Sequence, residues 1–198
     1  MNFLCAFFWN RPEHNDLIRP VIALVSYRFL WRRSQTRRQK TSMHISQESP
    51  DQPEVIALIA DLDAYQDTLY PAEARYSLDL TSLTKPNVVF MVARDGAGVA
   101  VGCGAVVTNN RVGELKRMYV RPQNRGQGVA RSLLVELEAE SLRAGCQELL
   151  LETGPYQPEA LAFYERQGYT RCGPFGAYID HPLSVFMAKK LVHQESAA

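Results

Sequence analysis

Between Val88 and Val120 the chain holds three strand-length runs joined by turns of only a few residues. Connections that short cannot carry a crossover, so neighbouring runs must pair antiparallel. Val88–Ala93 is a continuous apolar run, and Asp95-Gly96-Ala97-Gly98 follows as a hairpin turn whose φ > 0 positions glycine supplies. Val99–Thr108 is the next strand, Asn109-Asn110 turns the chain, and Val112–Val120 returns. The glycines and Cys103 of the middle run mark a close backbone approach or a bulge.

On either side of this meander the pattern is helical. Pro53–Tyr70 has a proline near its start and an apolar side made by Val55, Ile56, Leu58, Ile59, Leu62 and Leu69. A short strand-like run, His44–Gln47, precedes it, and Tyr76–Leu83 reads as a second, shorter helix that Lys85-Pro86 ends. After Val120 the order becomes helix, strand, helix. Gly128–Arg143 places Val129, Leu133, Leu134 and Leu137 on one face, with Glu136, Glu138 and Glu140 directed to water and Gly145 at the C-cap. Leu149-Leu150-Leu151 is a buried strand that Glu152 ends, and Pro158–Gln167 is a helix closed by Gly168. Tyr169–Cys172 and Leu183–Ala188 are a final pair of strands. The expected fold is α/β: one domain over residues 43–193, with a mixed, mostly antiparallel sheet flanked by helices.

Charge divides the chain in two. Residues 1–42 hold 8 Lys and Arg against 2 Asp and Glu, whereas residues 43–198 hold 14 against 19. The first stretch is expected to be a basic extension without a fold of its own, or to lie upstream of a start at Met43. A mitochondrial transit peptide is the alternative reading, since the stretch is rich in Arg and poor in acids. Residues 194–198 read as a tail. The acidic body argues against nucleic acid as a partner and suits a cationic one. No apolar run is long enough for a membrane span. Cys5, Cys103, Cys146 and Cys172 lack C-x-x-C spacing and a neighbouring His, so no metal site is expected and the thiols suit the reducing cytoplasm.

The chemistry is concentrated in Val120-Arg121-Pro122-Gln123-Asn124-Arg125-Gly126-Gln127-Gly128-Val129-Ala130. A strand ends, a loop with two glycines follows and a helix begins. Backbone N–H groups of such a loop and of the helix N-terminus make a pyrophosphate cradle. A dinucleotide fold would use the same physics, with Glu152 as its acidic residue. Arg131 stands at its third glycine position, and antiparallel strands precede the motif, so that reading is the weaker one.

Gln123-x-x-Gly126-x-Gly128, preceded by Glu114-Leu115-Lys116-Arg117-Met118-Tyr119-Val120, resembles the acyl-CoA motif of the GNAT superfamily of N-acetyltransferases. Ala160-Leu161-Ala162-Phe163-Tyr164-Glu165-Arg166-Gln167-Gly168-Tyr169 resembles that family's A-x-x-F-Y-x-x-x-G-F/Y segment. The likeness runs from about Met43 to Leu191. It implies a single GNAT-type domain that moves an acetyl group from acetyl-CoA, with no metal, to a primary amine of a small molecule or peptide. Main-chain groups of Met118, Tyr119 and Val120 would hold the pantetheine arm. Gln123, Asn124, Arg125, Gly126, Gln127, Gly128, Val129, Ala130 and Arg131 would hold the pyrophosphate. Tyr164 would be the general acid for the leaving thiolate. Glu114 would accept the amine proton by family position, with Glu152 second.

Gln157 stands where many members have an Asn that helps fix the cofactor arm. No Cys has a His to activate it, so direct attack in a ternary complex is expected over an acyl-enzyme. A non-catalytic acyl-CoA-binding module and an NAD(P)-binding oxidoreductase are the alternatives. The resemblance leaves the acceptor open, and the oligomeric state too, a homodimer included. Lys116 and Arg117 read as the solvent side of their strand, the sharper alternative being that one of them meets an acceptor carboxylate. His181 reads as a surface residue of the last loop.

Overall fold

Strands β1 (His44–Gln47), β2 (Val88–Arg94), β3 (Ala100–Asn109), β4 (Val112–Val120), β5 (Glu148–Thr153), β6 (Thr170–Cys172) and β7 (Val185–Lys190) form one sheet in the order β1-β2-β3-β4-β5-β7-β6. The computed structural model describes residues 43–72 and 76–192, so the expectations for the basic extension and the tail fall on residues outside it. Helices are α1 (Pro53–Asp67), α2 (Leu80–Leu83), α3 (Val129–Arg143) and α4 (Pro158–Arg166). The pair β4–β5, joined through α3, is parallel, and the other pairs are antiparallel. No helix of the described residues is long and apolar enough to cross a membrane.

Successive residues of a strand face opposite sides, and β2 divides the core that way. Phe90 and Val92 pack with Val55, Leu58 and Leu62 of α1 on one face. Met91 and Ala93 pack with Leu133, Leu134 and Leu137 of α3 and with Tyr164 of α4 on the other. Leu149 and Leu151 of β5 join the second cluster. Each fully buried Leu contributes roughly 1.5–3 kcal/mol relative to exposure.

Several expected features differ in detail. The second helix is one turn, Leu80–Leu83, because the Asp79 carboxylate accepts from Ser82 N at 2.7 Å and so caps it. Tyr76–Leu78 therefore lie outside it, and the carbonyls of Tyr76 and Leu78 go to side chains of β4. Helix α1 stops at Asp67, and Tyr70 turns back into the core. In the hairpin only Gly98 takes a positive φ (+83°); the Asp95 carboxylate accepts from Ala97 N and Val99 N in place of a second glycine. Glu138 points inward, accepting from Lys189 Nζ at 2.6 Å and Tyr169 Oη at 3.2 Å. Cys103 and Cys146 are buried, whereas Cys172 is exposed.

Arg94 ties β2 to the entry of α1. Its Nη2 donates to Glu48 Oε2 at 2.7 Å, its Nε donates to Glu48 Oε1 at 2.9 Å, and its Nη1 pairs with Glu54 at 2.5 Å. These hydrogen bonds hold the Glu48 carboxyl at a pKa of about 2, below the ordinary 4.5. A lowered carboxyl pKa gives stability that is present above the unfolded value and is lost as pH falls through the folded one. Glu48→Gln should lower Tm by about 2–4 °C at pH 7, an effect of about 1 kcal/mol. The difference from wild type should vanish between pH 4.5 and 2. A pH-independent difference in thermal melts would count against the ion pair.

Candidate functional site

The ladder between β3 and β4 slips once. Cys103 pairs with Tyr119 and Ala105 with Lys116, so Gly104 faces both Arg117 and Met118. This is a β-bulge, and Arg117 takes φ +56° there, a conformation that costs a non-glycine residue roughly 1–2 kcal/mol. A Cβ on Gly104 would stand 2.4 Å from Met118 Sδ, so glycine leaves room for the bulged side chain. Beyond the bulge β4 parts from β5: their pairing ends at Leu115–Leu151, while β5 continues along β7 to Thr153. The second half of β4 thus has no strand on its β5 side, and the parting opens a cleft.

The cleft contains two cavities that meet. The first, of about 300 Å³, runs along Met118, Tyr119 and Val120 to Gly126 and Ala130. The second, of about 120 Å³, lies between Ser77 and Leu78, Lys116 of β4 and Glu152 of β5. Met118, Gln157, Ala160 and Tyr164 line both. Gln157 Oε1 accepts from Thr153 Oγ1 at 3.0 Å, which orients it at this junction.

The loop at the end of the first cavity is built to leave donors open. Gly126 has φ +70° and Gly128 +86°, and a Cβ at either would meet nothing within 4 Å. Glycine is therefore required there by the backbone, and the space above both residues is open. Gly128 is also the N-cap of α3 and has no side chain to cap it. The first intrahelical bond is Ser132 N to Gly128 O, so the amides of Val129, Ala130 and Arg131 are the unpaired donors of the first turn. Gln123 and Asn124 belong to the short 3₁₀ turn Pro122–Asn124, and Gln127 Nε2 donates to Gln123 O. Arg125 Nε donates to Val120 O at 3.0 Å, and its guanidinium lies 5.7 Å from the Tyr65 ring and 6.0 Å from that of Tyr119. This chain's residues thus fit a pyrophosphate, with unpaired amides, a helix N-terminus and flanking arginines.

Tyr164 stands at the junction, 7% exposed, between the edges of Phe163 and Tyr169. Burial pushes its phenol pKa up, so it stays a proton donor. Glu152 lines the second cavity, and its carboxyl pKa is raised chiefly by burial. Glu114 is not among the residues lining either cavity: its carboxylate accepts from Tyr178 Oη at 2.5 Å and pairs with Lys116 Nζ at 2.8 Å. His181 Nδ1 accepts from Leu183 N within its own loop.

Lys116 and Arg117 do not form a solvent side. Arg117 is buried, pairs with Asp63 and donates through Nε and Nη2 to Leu78 O. Lys116 Nζ donates to Tyr76 O at 3.2 Å. Together they hold the wall of the second cavity. Sequence reasoning did not find this role, since the acceptors are main-chain carbonyls of a distant loop. Tyr70 was missed as well: it accepts from Tyr156 N at 2.9 Å, stacks on the Tyr156 ring and lies over Gly154, where a Cβ would meet it at 2.1 Å. Among the described residues no group of three His, Cys, Asp or Glu side chains is placed to hold a metal ion.

The profile of the acetyltransferase (GNAT) family matches residues 52–169. A protein of Azospirillum brasilense named IAA acetyltransferase is 49% identical over 149 residues, 74% of this chain and 97% of that protein. The N-acetyltransferase YsnE of Bacillus subtilis is 34% identical over 75% of this chain and 100% of its own length. A crystal structure from Klebsiella pneumoniae, described as an acyl-CoA N-acyltransferase, superposes with a TM-score of 0.69. It is 43% identical and covers 76% of this chain and 99% of its own.

The Arg117 contacts lead to a stability test. Arg117→Met would leave Leu78 O and Asp63 without their cation, at an expected cost of about 2 kcal/mol. That corresponds to a Tm lowered by roughly 4–8 °C. An unchanged melting temperature would mean that the wall does not depend on this clamp.

Proposed function

Because the chain belongs to the acetyltransferase (GNAT) family, we propose that this acyltransferase moves an acetyl group from acetyl-CoA to a primary amine of a small molecule or peptide, by direct attack in a ternary complex. The observation that carries the reading is the junction of the two cavities at Tyr164: one ends at the open glycine loop, and the other holds a half-buried carboxylate. Acetyl-CoA, when bound, supplies a thioester carbonyl as electrophile and a thiolate as leaving group.

The protein's own groups account for the rest. The amides of Gly126 to Arg131, the α3 N-terminus and Arg125 bind the pyrophosphate. Main-chain groups of Met118, Tyr119 and Val120, left without a strand on the β5 side, line the path of the arm. An amine is mostly protonated near pH 7 and must lose a proton before it attacks. Glu152 accepts that proton directly or through a water, and burial moves its pKa toward that of the amine. Glu152 takes this role in preference to Glu114, which Lys116 and Tyr178 hold away from the cavities. The Tyr164 hydroxyl gives its proton to the departing sulfur.

Thiol release from acetyl-CoA over a panel of amines, with IAA included because a relative carries its name, is the direct test. Two variants locate the chemistry. Gly128→Val, which puts a branched residue at φ +86° and a side chain into the open space, should raise the CoA dissociation constant at least tenfold, about 1.4 kcal/mol. Unchanged affinity in calorimetry of a folded variant would remove the loop from the site.

The second test is a pH profile of kcat. Tyr164→Phe should lower it by about 10²-fold near pH 7. The defect should shrink above pH ~8.5, where the thiolate needs no proton. In the wild type a base with a raised carboxyl pKa loses activity on the acid side at a pH above the ordinary carboxylate range. Glu152→Gln should abolish that limb along with most of the rate. Wild-type rates from both variants across the profile would reduce the two groups to packing residues.

A further inference from the structure

The charges around the second cavity narrow the acceptor. Lys116, Arg117 and Glu152 are the charged side chains among the described residues that line it. An ammonium has three donors. Lys116 Nζ meets the Glu114 carboxylate at 2.8 Å, the Tyr76 carbonyl at 3.2 Å and the Tyr178 hydroxyl, with the Tyr178 ring centroid 5.0 Å away. Arg117 is held by Asp63 and Leu78 O. Both cations are thus committed within the protein, and Glu152 belongs to neither ion pair. The rest of the lining is mixed: Gln66, Ser77, Thr153 and Gln157 stand with Tyr70, Tyr76, Leu78, Leu115 and Leu183, and more of the surface that faces the cavity is polar than apolar.

Resting on the acyl-transfer reading, we propose that the acceptor is a compact primary amine without a carboxylate, in place of an amino acid. Its ammonium enters as the counter-charge of Glu152. A substrate carboxylate would be desolvated beside Glu152 with no uncommitted cation to meet it, and that is unfavourable on both counts. The volume sets the size. A cavity of about 120 Å³ is close to the ~150 Å³ that encloses a benzene ring, so one ring or a short branched chain fills it.

The experiment compares amines with the amino acids that share their side chains: 2-phenylethylamine with phenylalanine, and isoamylamine with leucine. Thiol release by the full-length protein is followed at pH 7.5, with calorimetry of acetyl-CoA binding in parallel. The expected result is a kcat/KM at least tenfold higher for the amine in each pair. Tyr178→Phe takes one acceptor from Lys116 and leaves an N–H that a substrate carboxylate can use, so the ratio should narrow at least threefold. If acetyl-CoA binds and the amino acids react as well as the amines, or no member of either pair reacts, the acceptor proposal is overturned and the donor reading stands. An unchanged ratio in a folded Tyr178→Phe protein would overturn the argument from Lys116. No binding of acetyl-CoA overturns both readings.

Discussion

The bulge in β4 is the constraint on which the site depends. A left-handed residue at Arg117, facing Gly104, bends β4 so that its pairing with β5 ends at Leu115 and Leu151. Without that slip the two strands would continue side by side, and the main chain of Met118 to Val120 would be consumed by a ladder. The bulged conformation is unfavourable for arginine by itself. It is maintained because the side chain it aims inward pairs with Asp63 and binds Leu78 O. One local distortion thus opens the cleft along Met118 to Val120 and, through the same side chain, holds the wall of the second cavity.

Electrostatics at the cleft is arranged by what is neutralised and what is left. Lys116 with Glu114, and Arg117 with Asp63, are pairs whose charges cancel within the protein. Glu152 stands apart, half-buried, with the Ser184 hydroxyl and Lys116 near enough to favour its ionised form and Glu114 opposing it. At the other end the unpaired amides of α3 give a positive partial charge with no side chain to cap it. The two ends of the cleft therefore differ in charge, with the positive partial charge of the α3 N-terminus at one, the Glu152 carboxylate at the other and Tyr164 at the junction between them.

Much of this was legible locally. The strand β4 was read with its observed ends, α3 and α4 within a residue at each end, and the glycine loop as the turn that leads into a helix. Such features rest on periodicity and on glycine's access to positive φ, which act over a few residues. The segment Tyr76–Leu78 was misread as helical because its carbonyls are satisfied by Lys116 and Arg117, some 40 positions away. The same contacts explain why two charges in a strand looked solvent-facing and proved to be buried or half-buried.

The order of elements, the strand–turn–helix at Gly126 and Gly128, and the family of the chain were determined by the sequence alone, because backbone preference and hydrophobic period are written residue by residue. Which carboxylate lines the second cavity was decided only by the tertiary structure. Glu114 and Glu152 look alike in sequence, each lying in or at the end of a strand. Folding brings Tyr178, from the loop before β7, onto the first and leaves the second in the cleft where β4 has turned away. Their difference is one of long-range packing, and no local pattern encodes it.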